Sequence, residues 1–169
     1  MSHILVAFAT RNGSTGEVAD AIVGTLRGIG SIVDLRPART ARESIDGSDL
    51  VVLGAPLYSG RWHREAHQFL KRHRAELGRV PIAIFGMGPR SGDDEAWQHS
   101  RRQLDGALAK RGWLAPVAVA VFGGVDPPKG HRAERRDLRD WEAIRAWAAG
   151  LPALLTPPDR ATGLASGRG

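Results

Sequence analysis

Leu50-Val51-Val52-Leu53 is an unbroken aliphatic run that ends at Gly54. It has no alternating polar residues, so a strand made from it has no face suited to water. Such a strand needs a packed layer on each side, as in a parallel sheet covered by helices. Further strands are expected from Ile4 onward and over 31–36, 80–86 and 116–122. The segments between them carry helical spacing. Val18, Ile22, Leu26 and Ile29 predict a helix from residue 14 to 26 or beyond, stopped by Gly28 and Gly30. Ser14-Thr15-Gly16-Glu17 at its start has the form of a capping box. Ala66, Phe69, Leu70, His73 and Leu77 predict a helix over 64–77, and Trp97, Leu104 and Leu108 predict another over 95–111. Leu138, Trp141, Ile144, Arg145 and Ala148 mark the last helix. A Thr-x-x-Glu start suggests a short helical turn over 40–45, and residues 57–62, 87–94 and 123–134 read as loops. Five strands alternating with helices predict an α/β fold, a doubly wound parallel sheet in three αβα layers. One domain is expected over 1–155. The Pro-, Gly- and Ala-rich segment 156–169 is expected to be a disordered tail.

Composition narrows the chemistry. Cysteine is absent, which excludes disulfides, thiolate metal sites and a catalytic thiol. No apolar run has the length of a membrane span, and Met1-Ser2-His3 leads straight into a strand, so a cytoplasmic location is the expectation. The formal net charge is +6. The basic residues are spread along helices and mixed with acids, which favours a solvated arginine-rich surface over nucleic-acid binding.

In doubly wound sheets the ligand lies beyond the carboxyl ends of the strands, at the switch point. Three loops emerge there: residues 10–15, 55–62 and 87–94. They are the loops richest in Gly, Pro, hydroxyl and aromatic residues. Thr10-Arg11-Asn12-Gly13-Ser14-Thr15 follows the first strand and opens the first helix. A turn of this kind surrounds an anion with N–H groups and side-chain donors. The chain has no G-x-x-x-x-G-K-[ST] and no G-x-G-x-x-G, so neither a triphosphate loop nor a dinucleotide turn is present. No G-x-S-x-G elbow is present, and the third strand ends Leu53-Gly54-Ala55 rather than in a phosphoacceptor aspartate. A monophosphate-sized nest remains.

That loop resembles the T-x-x-G-x-T phosphate loop of flavodoxins. Gly54-Ala55-Pro56-Leu57-Tyr58-Ser59-Gly60-Arg61-Trp62-His63 is similar to the second flavin loop of the branch that includes menaquinone-dependent protoporphyrinogen oxidases. Asp140-Trp141-Glu142-Ala143-Ile144 resembles that branch's last helix. The resemblance implies strand order 2-1-3-4-5 and FMN as cofactor. It implies that Thr10, Arg11, Asn12, Gly13, Ser14 and Thr15 hold the phosphate. Pro56, Leu57, Tyr58, Ser59 and Gly60 would line one side of the flavin ring, with Met87, Gly88, Pro89, Arg90 and Asp94 on the other. Trp62 and His63 would border the exposed ring edge. Redox chemistry follows from the flavin, with a partner protein or a small acceptor such as a quinone taking the electrons. Tyr58 and His63 are the candidate polar groups beside a reduced acceptor. Arg11, Arg61 and Arg90 lie in these loops, and cations there favour a reduced, anionic flavin.

The remaining marked residues read as structural. His63 and His67 are four apart, but no third metal ligand is evident, so a solvated helix face is expected. His73 reads as surface charge. Arg132, Arg135, Arg136 and Arg139 interleave with acids and read as internally paired. Asp93 and Asp94 precede a helix and read as caps. The competing functional reading is a flavodoxin-like fold that serves as an interaction module without flavin.

Overall fold

The computed structural model describes residues 1–10, 13–89, 91–126 and 136–155. Arg11, Asn12, Arg90, Arg132, Arg135 and the expected tail at 156–169 lie outside the described residues. The strands are β1 (His3–Phe8), β2 (Ile32–Pro37), β3 (Leu50–Tyr58), β4 (Arg61–Trp62), β5 (Ile82–Met87) and β6 (Ala118–Phe122). The helices are α1 (Ser14–Gly28), α2 (Arg64–Arg72), α3 (Asp94–Ala109) and α4 (Trp141–Gly150). Short 3-10 turns occupy Glu76–Gly78 and Pro152–Leu155.

The sheet runs β2-β1-β3-β5-β6, and every pairing along that path is parallel. This is the expected doubly wound order, with one addition. Strand β4 pairs antiparallel with the end of β3, Leu57 opposite Trp62 and Tyr58 opposite Arg61. Because β1 lies between β2 and β3, the winding reverses there, and the switch-point crevice opens above β1 and β3.

Successive residues of each strand feed opposite faces. Leu5, Ala7, Val51, Leu53, Ile82 and Ile84 pack with Phe69 and Leu70 of α2 and Leu104 and Leu108 of α3. Ile4, Val6, Leu50, Val52, Ala83 and Phe85 pack with Val18, Ile22 and Leu26 of α1 and Ile144 and Ala148 of α4. The absence of polar residues in Leu50-Val51-Val52-Leu53 is thereby explained: both faces of β3 are interior.

Gly54 is required at this crossing. It pairs with Phe85 in register, and a Cβ on it would lie 1.9 Å from the Phe85 ring. That ring is held by Phe122 and Trp147, with centroids 5.7 and 6.1 Å away. Gly54→Ala is expected to cost about 2–3 kcal/mol by overpacking. Chemical denaturation measures this, and a midpoint equal to wild type would contradict it.

Several local expectations are corrected. Residues 40–45 form no helix; they are turns and irregular chain that bury Ala41 and Ile45. Helix α2 stops at Arg72 rather than 77, and its end is clamped to that segment. His73 is only 1% exposed, not surface charge. Its Nδ1 lies 3.0 Å from Glu76 Oε1 and its Nε2 lies 2.7 Å from the Ala41 carbonyl. Glu76 Oε2 also accepts from the Ser44 hydroxyl at 2.8 Å and the Ile45 N–H at 2.6 Å. The helical spacing of His73 and Leu77 with Phe69 was real, but it recorded burial against a loop rather than a continued helix.

Candidate functional site

The first loop leaves β1 at the switch point, where the Ala9 N–H donates to the Gly54 carbonyl at 2.9 Å. Thr10 Oγ1 accepts from the Gly13 N–H at 2.8 Å and closes the turn. Gly13 caps α1 with φ +88°, a left-handed conformation that suits glycine. No side chain among the described residues caps this helix, so the expected capping box is not formed. The first intrahelical bond runs from the Glu17 N–H to the Gly13 carbonyl, which leaves the first-turn amides of Ser14, Thr15 and Gly16 ahead of the ladder.

Thr15 is fully buried, with 0% exposure. Its Oγ1 has no hydrogen-bond partner, and it is the one such side-chain atom among the described residues. A buried hydroxyl without a partner costs free energy. An orphaned donor and first-turn amides without a partner among the described residues, at the positive end of the helix dipole, are suited to receive an anion.

Glu17 turns away from the cap and meets Arg139, whose Nη1 donates to Glu17 Oε2 at 2.8 Å and to the Ser14 carbonyl at 3.5 Å. Arg139 Nε and Nη2 grip the Asp137 carboxylate at 2.9 and 2.7 Å, and the guanidinium lies 4.8 Å from the Trp141 ring centroid. Hydrogen bonds to Asp137, then to Glu17, hold Arg139 above its ordinary pKa against the opposing effect of burial. Arg139 therefore fastens the segment before α4 to the start of α1. One of its partners is local and the other is distant in sequence, which the charge pattern alone did not separate. Arg136 likewise pairs with Asp126.

In the second loop, Ser59 and Gly60 have φ of +45° and +80°. Two consecutive positive φ values make the two-residue hairpin between β3 and β4. The Ser-Gly pair between Tyr58 and Arg61 was the available signal for this hairpin, which replaces the expected open loop. Pro56 is buried, Leu57 and Tyr58 are half-buried, and Ser59 and Gly60 are exposed at the tip. Trp62 folds inward with 2% exposure, and its indole N–H donates to the Ala55 carbonyl at 3.1 Å. That bond fixes the return of the hairpin.

His63 caps α2, its Nδ1 accepting from the Glu65 N–H at 3.1 Å. A neutral ring in this position carries its proton on Nε2. The Tyr58 and His63 ring centroids are 6.0 Å apart. His67 does not share a ligand position with His63. Arg111 Nη1 donates to His67 Nδ1 at 2.9 Å, and the His67 ring stands edge-on to Trp62. Burial, then the charges of Arg111 and Lys110, push the His67 pKa below its ordinary value. Among the described residues no group of His, Asp and Glu is placed to hold a metal ion.

In the third loop, Met87 sends its side chain into the core, and Pro89 is buried. The Gly88 N–H donates to the Phe122 carbonyl at 2.8 Å, and the Gly124 N–H donates to the Pro89 carbonyl at 3.0 Å. The chain after β6 thus braces the loop backbone to backbone. Gly123-Gly124 was its sequence signal and was read only as loop. Asp93 caps α3, its Oδ1 accepting from the Ala96 N–H at 2.8 Å, and Asp94 is the first helical residue. The Ser91 hydroxyl, then the Ala96 N–H, hold Asp93 below the usual carboxylate range. Asp93 is a capping anion rather than a proton donor.

A doubly wound α/β protein with an anion-ready turn at its switch point is the class these features define. The chain belongs to the flavodoxin domain family, whose model matches residues 5–144. Oxidised flavodoxin 1 from Bacillus cereus shares the fold with a TM-score of 0.63 at 22% identity, covering 90% of this chain and 98% of that one. A Fusobacterium nucleatum flavodoxin bound to flavin mononucleotide aligns with a TM-score of 0.54 at 16% identity, covering 90% and 98%. Protoporphyrinogen IX dehydrogenase [quinone] of Escherichia coli K12 is 30% identical over 84 residues, 49% of this chain and 46% of that protein. The chain spans about half the length of the curated relatives it matches, 46%. Among the described residues no helix is long and apolar enough to cross a membrane.

Proposed function

We propose that this chain binds FMN in the crevice above β1, β3 and β5 and serves in redox chemistry, reducing or oxidising a small acceptor such as a quinone or exchanging electrons with a partner protein. The observation that carries this reading is Thr15 Oγ1, a buried hydroxyl without a partner at the N-terminus of α1. Thr10, Gly13, Ser14 and Thr15 fit a phosphate: one side chain sets the turn, a left-handed glycine opens it, and the first-turn amides and the Thr15 hydroxyl supply donors. Arg11 and Asn12 belong to the same proposed loop by sequence.

Bound FMN supplies the electron-accepting ring; the protein supplies binding, orientation and electrostatics. The hairpin residues Pro56, Leu57, Tyr58, Ser59 and Gly60 would form one wall for the ring. Gly88, Pro89 and Asp94, with Arg90 by sequence, would form the other, and Met87 would support that wall from the core. His63, with its cap bond at Nδ1, keeps Nε2 for a proton exchanged with an acceptor at the rim. A quinone acceptor is supported by the similarity to the E. coli protoporphyrinogen IX dehydrogenase, whose name gives a quinone as its acceptor.

Adding FMN to the flavin-free protein tests this directly. The expected result is a perturbed flavin absorbance spectrum with saturation at one equivalent. Anaerobic reduction with dithionite should then be reversed by menadione. Failure to take up FMN would remove the reading. Uptake without reoxidation by menadione would leave a carrier in place of a quinone reductase.

A further inference from the structure

Helices α2 and α3 lie on the same face of the sheet, and the space between them is lined by cations. One groove of about 690 Å³ starts at the β3–β4 hairpin and is bordered by Arg61, Arg64, Arg102 and Lys110. It meets a second of about 740 Å³ near the opposite ends of the helices, where Lys71, Arg74 and Arg111 contribute. His67 and Lys110 line both grooves. No carboxylate lines either one.

Lone cations also occur elsewhere, as at Arg39, Arg42 and Arg145, but here seven cations line adjoining grooves with no carboxylate among the lining residues. Arg36, Arg79, Arg101, Arg136 and Arg139 each meet a carboxylate. Among the described residues none of the groove cations does. The crowding has a local signature: Arg111 donates to a histidine at 2.9 Å rather than to an acid. Unpaired like charges facing one groove repel one another, and an incoming anion relieves that repulsion.

We propose that the α2–α3 groove is the docking surface for an acidic face or segment of a partner protein. The groove is open, and its cations are spread from β4 (Arg61) along α2 and α3 (Arg64, Lys71, Arg102) to the segments just past the helix ends (Arg74, Lys110, Arg111), so it does not enclose a small phosphate. Binding of single-stranded nucleic acid needs free aromatic faces as well as cations. Here Trp62 is buried, and Arg74 covers the Trp113 ring at 5.5 Å. A concave groove also offers no protruding element to enter a duplex. Distributed, unpaired cations, with one tryptophan buried and the other covered by Arg74, suit carboxylates presented at intervals, with attraction that speeds encounter and selects acidic partners. The groove begins at Gly60 and Arg61, so a docked partner would reach the hairpin proposed to border the flavin. That last consequence rests on the redox reading; the groove itself does not.

The chain's lysines are Lys71, Lys110 and Lys129, and the first two line the groove. This permits a direct test on the full chain, with a short poly-L-glutamate as the probe. Carbodiimide coupling joins a lysine amine to a glutamate carboxylate only where the two are in contact. Coupling should map to Lys71 and Lys110 in preference to Lys129 and the amino terminus. Arg64→Glu with Arg102→Glu should weaken binding about tenfold or more, because each reversal turns attraction into repulsion. Arg39→Glu with Arg42→Glu reverses exposed cations outside the groove and should change affinity by about twofold or less. Equal coupling at all amines, or equal loss in both variant pairs, would overturn the proposal. Displacement of poly-L-glutamate from the groove by equimolar pyrophosphate or a single-stranded oligonucleotide would overturn it as well. FMN uptake measured on the same samples separates the two readings. Normal uptake without groove preference removes only the docking surface, and groove preference without uptake removes only the flavin.

Discussion

Thr15→Val is expected to act in opposite directions on the flavin-free and flavin-bound protein. Valine keeps the branched shape inside α1 and removes a buried hydroxyl that has no partner. The flavin-free fold should gain about 0.5–1.5 kcal/mol, since the cost of burying that hydroxyl disappears. FMN affinity should fall about 10- to 100-fold, the loss of one hydrogen bond to a charged phosphate. Thr15→Ser should stay near wild type in affinity. Riboflavin, which lacks the phosphate, should bind wild type and Thr15→Val alike. Denaturation of the flavin-free protein and fluorescence titration with both flavins measure these effects. A valine variant that is less stable without flavin and unchanged in FMN affinity would show that the hydroxyl has another role.

Glu76→Gln is expected to produce the other large effect, on stability and its pH dependence. Glu76 joins His73, Ser44 and Ile45. Desolvation by itself would raise its pKa, but the hydrogen bonds from His73, Ser44 and Ile45 and the proximity of His73 take it from 4.5 to about 2. The folded state therefore favours the ionised carboxylate. Its contribution is complete above the unfolded value of 4.5 and is lost as pH falls from there toward about 2. The Glu76 side chain is 19% exposed, so solvent screens part of this contribution. About 1–2 kcal/mol is expected to vanish between pH 5 and pH 2 in wild type and not in Glu76→Gln. At pH 7 the variant should be less stable by about 1–3 kcal/mol, with Tm lower by about 2–10 °C. Urea unfolding at pH 7, 4 and 3 resolves both. Parallel pH profiles for the two proteins would contradict the clamp.

Much of the fold was legible because apolar pattern reports burial. The run at Leu50–Leu53 required two covering layers, and the stripe through Val18, Ile22 and Leu26 required a helix against one of them. The turn at residues 10–15 stood out by its hydroxyls and glycine directly after the first strand. The misread places share one cause. His73, Trp62 and Arg139 have side chains that read as surface or site residues in sequence, yet their partners lie far along the chain or in the backbone. His73 closes on Ala41, Trp62 on Ala55, and Arg139 on Glu17. Propensity records local preference, and no local preference encodes a distant acceptor.

The sequence by itself determined the class of fold and the position of the anion-ready turn, while the strand order was expected only from the family resemblance. Burial and turn chemistry are written in residue type and spacing, and they act over a few residues at a time. Only the tertiary structure decided that Thr15 is left buried without a partner, that Gly54 must admit Phe85, and that cations on and beside α2 and α3 line adjoining grooves. Each of these depends on which distant segments meet, and that is settled when the strands pair and both layers close over the sheet.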